Sequence, residues 1–86
     1  MNNKVLVKLI VPEMDLTFDV FIPVNELVWK VKELLFKCIS DITSNDLSAN
    51  GDFTLINKDS SRIYKNNEVV IDTDIRNSSE LIFLSK

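Results

Sequence analysis

Hydrophobic and polar residues alternate along two consecutive segments near the beginning of the chain. Residues 4–11 alternate first, and residues 16–22 alternate again after the turn-forming residues 12–15. Alternation of this kind predicts β-strands, because successive side chains of a strand point to opposite faces. Two such strands around a short polar break that begins with Pro12 predict an antiparallel hairpin.

After Pro23 the spacing of the apolar residues becomes helical. With Asn25 as its N-cap, a helix is predicted over about residues 26–40. Its inward stripe comprises Leu27, Val28, Val31, Leu34, Leu35 and Cys38. At about 100° per residue, Trp29 and Phe36 lie roughly 140–160° from the centre of this stripe. We therefore expect these two large aromatic side chains on the outer side of the helix.

Shorter segments complete the chain. They are a loop over residues 40–52, a strand over 53–57, a short strand at 63–64, an irregular segment or helical turn after 69–71 that Ile75 anchors, and a last strand over 80–86. The order β-β-α-β-β-β predicts an α+β fold for a single domain, residues 1–86. In it, a mixed sheet of four to five strands packs on one helix, with the first and last strands as the central pair. This arrangement is a β-grasp.

Composition and charge narrow the classes of partner. The formal net charge is −3 and the ten basic residues are scattered, so we expect no nucleic-acid partner. The apolar stretch at residues 5–11 is interrupted by Lys8 and followed by Pro12, which is too short for a signal-peptide core or a membrane span. We expect a cytoplasmic protein without direct membrane insertion.

The residues needed for catalysis are few. The sequence has no histidine, and Cys38 is its one cysteine, so acid–base catalysis by histidine, an activated thiol and a cysteine metal cluster are not expected. Acidic residues occur in two groups, but neither has the ordered spacing of a calcium loop: Asp72 with Asp74, and Asp41 with Asp46 and Asp52. Turn and capping carboxylates are the favoured interpretation, so we expect no enzyme, no cofactor and no metal.

The chain resembles ubiquitin along nearly its whole length. The segment IPVNELVWKVKELL corresponds to the strand exit and helix of ubiquitin, and FTLINKDSSRIYKNNEVVIDTDIRNSSELIFL to its later elements. Among ubiquitin-like families it is most similar to the YukD/EsaB family of type VII (WXG100, Esx) secretion systems. INKD at residues 56–59 and DTDIRNSSELIFL at residues 72–84 carry that similarity. Ile75, Asn77 and Leu81 fit the family's Ile-x-Asn-Gly-Asp-x-Leu pattern, whereas Ser78 and Ser79 replace its Gly-Asp.

The resemblance implies a ubiquitin-like accessory protein that binds a component of the secretion machinery. Conjugation of the ubiquitin type uses a flexible Gly-Gly tail, but the one glycine here is Gly51 and the sequence ends in Ser85-Lys86. We therefore expect no conjugation. Two alternatives stay open: a modifier or carrier whose C-terminus lies beyond this sequence, and a ubiquitin-like domain of a larger membrane secretion protein.

Two surfaces are predicted to make protein contacts. One is an aromatic patch of Trp29 and Phe36, unless the long loop or the segment around Tyr64 covers them as peripheral core. The other is the open face of the sheet, with Leu6, Ile10, Ile56, Ile82 and Leu84. Ile56 and Leu84 match positions of the apolar patch through which ubiquitin meets its partners. Scattered surface hydrophobes are the alternative, and pairing between copies at an edge strand is a further prediction.

Overall fold

A computed structural model describes residues 3–43 and 53–85. Its elements are β1 (Lys4–Val11), a 3-10 turn (Pro12–Met14), β2 (Leu16–Pro23), α1 (Val28–Thr43), β3 (Phe53–Asn57), a second 3-10 turn (Val70–Asp72) and β4 (Glu80–Ser85). The bounds of the strands predicted over residues 4–11, 16–22 and 53–57 agree with the observed bounds to within one residue. The part of the predicted loop at residues 44–52 lies outside the described residues.

The four strands form one mixed sheet in the order β2-β1-β4-β3. β1 and β4 are parallel and central, as predicted from their strongly apolar sequences, and both outer pairs are antiparallel. The short strand predicted at residues 63–64 is reduced to a single bridge between Ile63 and Ile56, and a second isolated bridge joins Val69 to Leu27. A four-stranded sheet on one helix confirms the predicted fold class.

The core lies between one face of this sheet and α1. The helix contributes Val28, Val31, Leu35 and Ile39, all at most 1% exposed. These positions follow helical spacing, and they face the buried alternate residues of the strands, Val7, Leu9, Val11, Ile22, Leu55, Leu81 and Phe83. Three members of the predicted stripe differ: Leu34 is 42% exposed, Cys38 is half-buried, and Leu27 is half-buried and precedes the helix. The buried stripe is therefore narrower than predicted and is centred further from Leu34.

The helix begins at Val28, two residues later than predicted, and Asn25 is not its N-cap. Asn25 instead lies in the turn that follows β2. The first helical N–H groups are satisfied by a distant segment: Val28 donates to the carbonyl of Glu68 at 2.8 Å, and Trp29 to that of Asn66 at 3.2 Å. A helix terminus needs partners for these donors, and here backbone carbonyls replace a capping side chain.

The segment before β4 extends the parallel ladder between the central strands. The Leu6 N–H donates to Asn77 Oδ1 at 2.9 Å, and the Ser78 N–H donates to the Leu6 carbonyl at 2.8 Å. The neighbouring Ile75 is 1% exposed and anchors this irregular segment in the core, as predicted. Among the described residues, no helix is long and apolar enough to cross a membrane.

Candidate protein-binding surfaces

The open face of the sheet carries a continuous row of isoleucines. Cross-strand pairing places Ile10 beside Ile82 and Ile82 beside Ile56, and the isolated bridge adds Ile63 beside Ile56. Paired residues of adjacent strands project from the same face, so these four side chains form one band across the sheet. Ile63 is 61% exposed and the other three are half-buried. We call Ile63, Ile56, Ile82 and Ile10 the isoleucine row.

The other two predicted residues of this face occupy different places. Leu84 is half-buried and pairs with Thr54, next to the isoleucine row. Leu6 pairs with Phe21 of β2 at the opposite end of β1. The structure therefore brings Leu84 together with the row and separates Leu6 from it.

Charged side chains of alternating sign lie between Leu6 and the isoleucine row. Strand register places Asp19 opposite Lys8 and Lys8 opposite Glu80, and Lys58 Nζ lies 3.4 Å from Glu80 Oε1. Opposite charges on neighbouring strands attract, although exposed pairs contribute only a few tenths of a kcal/mol up to about 1 kcal/mol each. This charged row divides the open face into a larger apolar area and the smaller Leu6–Phe21 pair.

A polar network holds Ile63 at the end of the isoleucine row. The neighbouring residue Tyr64 is 2% exposed, and its hydroxyl donates to Asp74 Oδ1 and accepts from Asn57 Nδ2 at 3.1 Å. Arg62 stacks over the same ring and pairs with Glu68 at 2.5 Å. Because Tyr64 points inward, the adjacent Ile63 points outward.

The same network shifts two ionisation equilibria. Burial, together with the hydrogen bond to Asp74, raises the pKa of Tyr64 from 10.0 to about 12. The hydrogen bond from Tyr64 lowers the pKa of Asp74, and a second bond from Ser60 acts in the same direction. At neutral pH the pair is therefore a neutral phenol donating to a carboxylate, which is a charge-assisted hydrogen bond.

The two helix aromatics differ in how far they are exposed. Trp29 is 44% exposed, and the Lys30 ammonium lies 5.7 Å from its ring centroid. Phe36 is half-buried and packs edge-on against Phe53, with ring centroids 5.5 Å apart. Phe53 in turn stacks on the buried Phe83 at 4.4 Å. The expectation of an exposed Phe36 is therefore wrong, because strand β3 supplies a ring for it to pack against.

Sequence reasoning missed two exposed side chains on the open face, Ile63 and Phe21. The signal for Phe21, 59% exposed, was present, since alternation along β2 places it on the same face as Thr17 and Asp19. The signal for Ile63 was the buried partner beside it, because neighbours in an extended segment point to opposite sides.

Of the acidic residues considered for a metal site, Asp74 is engaged by neighbouring side chains. Asp74 is bonded by Tyr64 and by Ser60, whose hydroxyl lies 3.2 Å from Asp74 Oδ2. Within residues 3–43 and 53–85, no group of three or more histidine, cysteine or acidic side chains is placed to hold a metal ion. Asp46 and Asp52 of the second acidic group lie outside the described residues.

Comparison with known proteins gives similarity of structure but not of sequence. No family model matches the sequence, and no curated protein matches it. Among solved structures, the EccD5 ubiquitin-like domain from Mycobacterium xenopi superposes with a TM-score of 0.80 at 13% identity, covering 99% of this chain and 97% of that one.

Two further structures show how widely this fold is used. A chain of the MycP5-free ESX-5 inner membrane complex matches with a TM-score of 0.80 at 14% identity over 99% of this chain, which spans only 21% of that longer chain. A chain of the toluene 4-monooxygenase HD complex matches with a TM-score of 0.74 at 11% identity, covering 96% of this chain and 99% of that one. At such identities the comparisons establish the fold alone. The chain has the ubiquitin-like β-grasp fold.

Proposed function

We propose that this chain is a non-conjugating ubiquitin-like accessory or regulatory protein of a bacterial type VII secretion system, of the YukD/EsaB kind. It acts in the cytoplasm by binding a protein component of the machinery, through the isoleucine row, and it is not an enzyme.

The match to the EccD5 ubiquitin-like domain is the observation that carries the proposal. It extends over 99% of this chain and 97% of that domain with a TM-score of 0.80. The INKD and DTDIRNSSELIFL segments support the same assignment by resemblance, and no Gly-Gly pair is present in the sequence.

The isoleucine row supports binding as the mode of action. An apolar band that crosses the sheet, beside a charged row that fixes orientation, is the composition expected of a protein contact. Ile63 at the end of this row keeps most of its surface in water, so a partner gains apolar burial there.

One alternative within type VII secretion is a ubiquitin-like domain of a larger membrane component. The matched ESX-5 chain favours it, since this chain spans about a fifth of its length. The full reading frame tests this alternative: continuation into transmembrane helices supports it, and continuation into a Gly-Gly tail supports a modifier instead. The toluene 4-monooxygenase match places the same fold in an unrelated complex, so the genomic neighbourhood is the first test. Neighbouring genes for a WXG100 protein and an FtsK-type ATPase are expected, and their absence counts against the proposal.

Capture from the native host tests the binding role. The wild-type chain is expected to capture secretion components. Ile63→Lys is expected to reduce the captured amount at least tenfold, because it places a charge in the apolar contact. Ile71→Lys is the matched control: Ile71 is 60% exposed, nearly the same as Ile63, but lies on the second 3-10 turn. Capture of unrelated proteins alone, together with intact WXG100 export after deletion, would refute the proposal. Equal loss in both variants would refute the assignment to the isoleucine row.

A further inference from the structure

Strand β2 is a long edge strand whose outward backbone groups can be identified. The Val24 N–H donates to the Asn3 carbonyl at 2.8 Å, which makes this a hydrogen-bonded pair of the β1–β2 ladder. Such pairs alternate along an antiparallel ladder, so the even-numbered residues of β2 bond to β1. The N–H and C=O groups of Thr17, Asp19 and Phe21 therefore point away from the sheet. The Leu6 N–H and Lys8 N–H, which point toward β4, agree with this phase.

The opposite edge of the sheet is partly paired by the chain itself. The Asn57 N–H donates to the Arg62 carbonyl at 2.9 Å, and the Tyr64 N–H donates to the Leu55 carbonyl at 3.1 Å. These bonds occupy outward groups along the five-residue strand β3. Of the two edges in the described structure, β2 is thus the longer one and the one with consecutive outward groups unpaired.

Apolar surface flanks the β2 edge on the side that faces the helix. On the helix side, Leu16, Phe18 and Val20 are packed against the core but only half-buried. Phe36 of helix α1 contacts Phe53 of β3. Leu34 lies roughly 160° around the helix from Phe36. Leu34 therefore projects on the β2 side, where it is 42% exposed.

We propose that the β2 edge binds an extended segment of a partner protein, which adds to the sheet as a fifth strand. Backbone groups at Thr17, Asp19 and Phe21 pair with the backbone of that segment. Its alternate apolar residues cover Phe18, Val20 and Leu34, and a basic residue lies opposite Asp19. This surface is separate from the isoleucine row and does not depend on it.

The edge disfavours a second copy as occupant. Antiparallel self-pairing centred on Asp19 sets two carboxylates directly opposite each other, which is destabilising. If one copy is moved to the next register in which outward backbone groups still face each other, Thr17 lies opposite Pro23, which has no N–H to donate. A shift the other way sets Phe21 opposite Asp15, whose φ of 51° is outside strand geometry.

A titration of the 15N-labelled chain tests the proposal. The ligand is a capped seven-residue synthetic peptide with valine at alternate positions and arginine at its centre, added to about 1 mM. Amide shift changes and slowed amide exchange are expected at Thr17, Asp19 and Phe21. Two N-methylated peptides are the controls: methylation of one alternate set of residues abolishes binding, and methylation of the other set leaves it unchanged, because only one set faces β2.

Charge variants test the role of Asp19. Asp19→Lys is expected to lower the affinity for the peptide about two- to fivefold. Asp72→Lys, an exposed change away from the edge, leaves that affinity unchanged. Ile63→Lys also leaves it unchanged, which separates this surface from the isoleucine row. The proposal is overturned by no shift changes at the highest concentration, by changes centred on Ile56 and Ile82, or by equal effects of the two methylated peptides. A mass that doubles with concentration, with protection of the edge amides, would identify a second copy instead.

Discussion

Ser78 has a backbone φ of 74°, in the left-handed region that L-residues other than glycine avoid. Its N–H donates to the Leu6 carbonyl at 2.8 Å, so the ladder between the two central strands holds this residue in place. The YukD/EsaB-like pattern carries glycine here. We predict that Ser78→Gly stabilises the protein, because glycine adopts this conformation without a clash of Cβ with the backbone.

The size of the gain follows from two opposing terms. The left-handed conformation costs an L-residue roughly 1–2 kcal/mol. Glycine loses about 0.5–1 kcal/mol more conformational entropy on folding than a residue with a side chain. The difference is a stabilisation of about 0.5–1 kcal/mol, which for a domain of this size is a rise in Tm of about 2–8 °C.

Urea unfolding followed by circular dichroism measures the change. The transition midpoint is expected to rise for Ser78→Gly with an unchanged m-value, since the surface exposed on unfolding is the same. Ser78→Ala is the matched control: it keeps Cβ and should stay within about 0.5 kcal/mol of the wild type. If alanine stabilises as much as glycine, or glycine does not stabilise at all, the backbone explanation is refuted.

Three further changes probe the network and the helix. The phenol of Tyr64 should ionise near pH 12 in the folded protein, as followed by absorbance at 295 nm. Because its pKa in the unfolded chain is 10.0, the free energy of unfolding should fall as the pH rises from 10.0 to about 12. A phenol that ionises near pH 10 in the folded protein would contradict this. The pKa of Asp74 is lower in the folded protein than in the unfolded chain. Its carboxylate therefore contributes stability above the unfolded pKa, and this contribution is lost as the pH falls through the folded pKa. The free energy of unfolding of Asp74→Asn should consequently depend less on pH in the acid range. Phe36→Ala should cost about 1–3 kcal/mol in urea unfolding because it removes the contact with Phe53, whereas Trp29→Ala should cost under about 1 kcal/mol; the reverse order would contradict the packing.

The fold was predictable because its signals are local and repeated. Alternation along β1 and β2 sets which residues face the helix, and a shift of one residue would expose Val7 and Leu9. The apolar character of the first and last strands correctly indicated a central pair. Short-range pattern and long-range packing agree at these positions.

The errors arose where the deciding contact is distant in sequence. Asn25 has the right chemistry for an N-cap, but the helix donors are satisfied by carbonyls near residues 66–68. Leu34 fits a helical stripe, but the predicted stripe omitted Ile39, which is fully buried. Phe36 packs against Phe53 on the other margin of the helix, so the buried side is rotated away from Leu34. Periodicity within a segment predicts that an apolar face exists, but it gives neither the width that is buried nor what covers its margins.

The two proposed surfaces can be distinguished by their energetic coupling. Ile63 and Asp19 are separated by four strand spacings, or roughly 19 Å at about 4.8 Å each. Changes this far apart act independently when folding is unaffected. If one partner protein covers both surfaces, the double variant Ile63→Lys/Asp19→Lys should weaken its capture by the product of the two single effects. If two partners bind separately, each should respond to one change and ignore the other. A loss in the double variant much larger than the product would mean that the sheet itself is disturbed, and would remove the basis for treating the surfaces as separate.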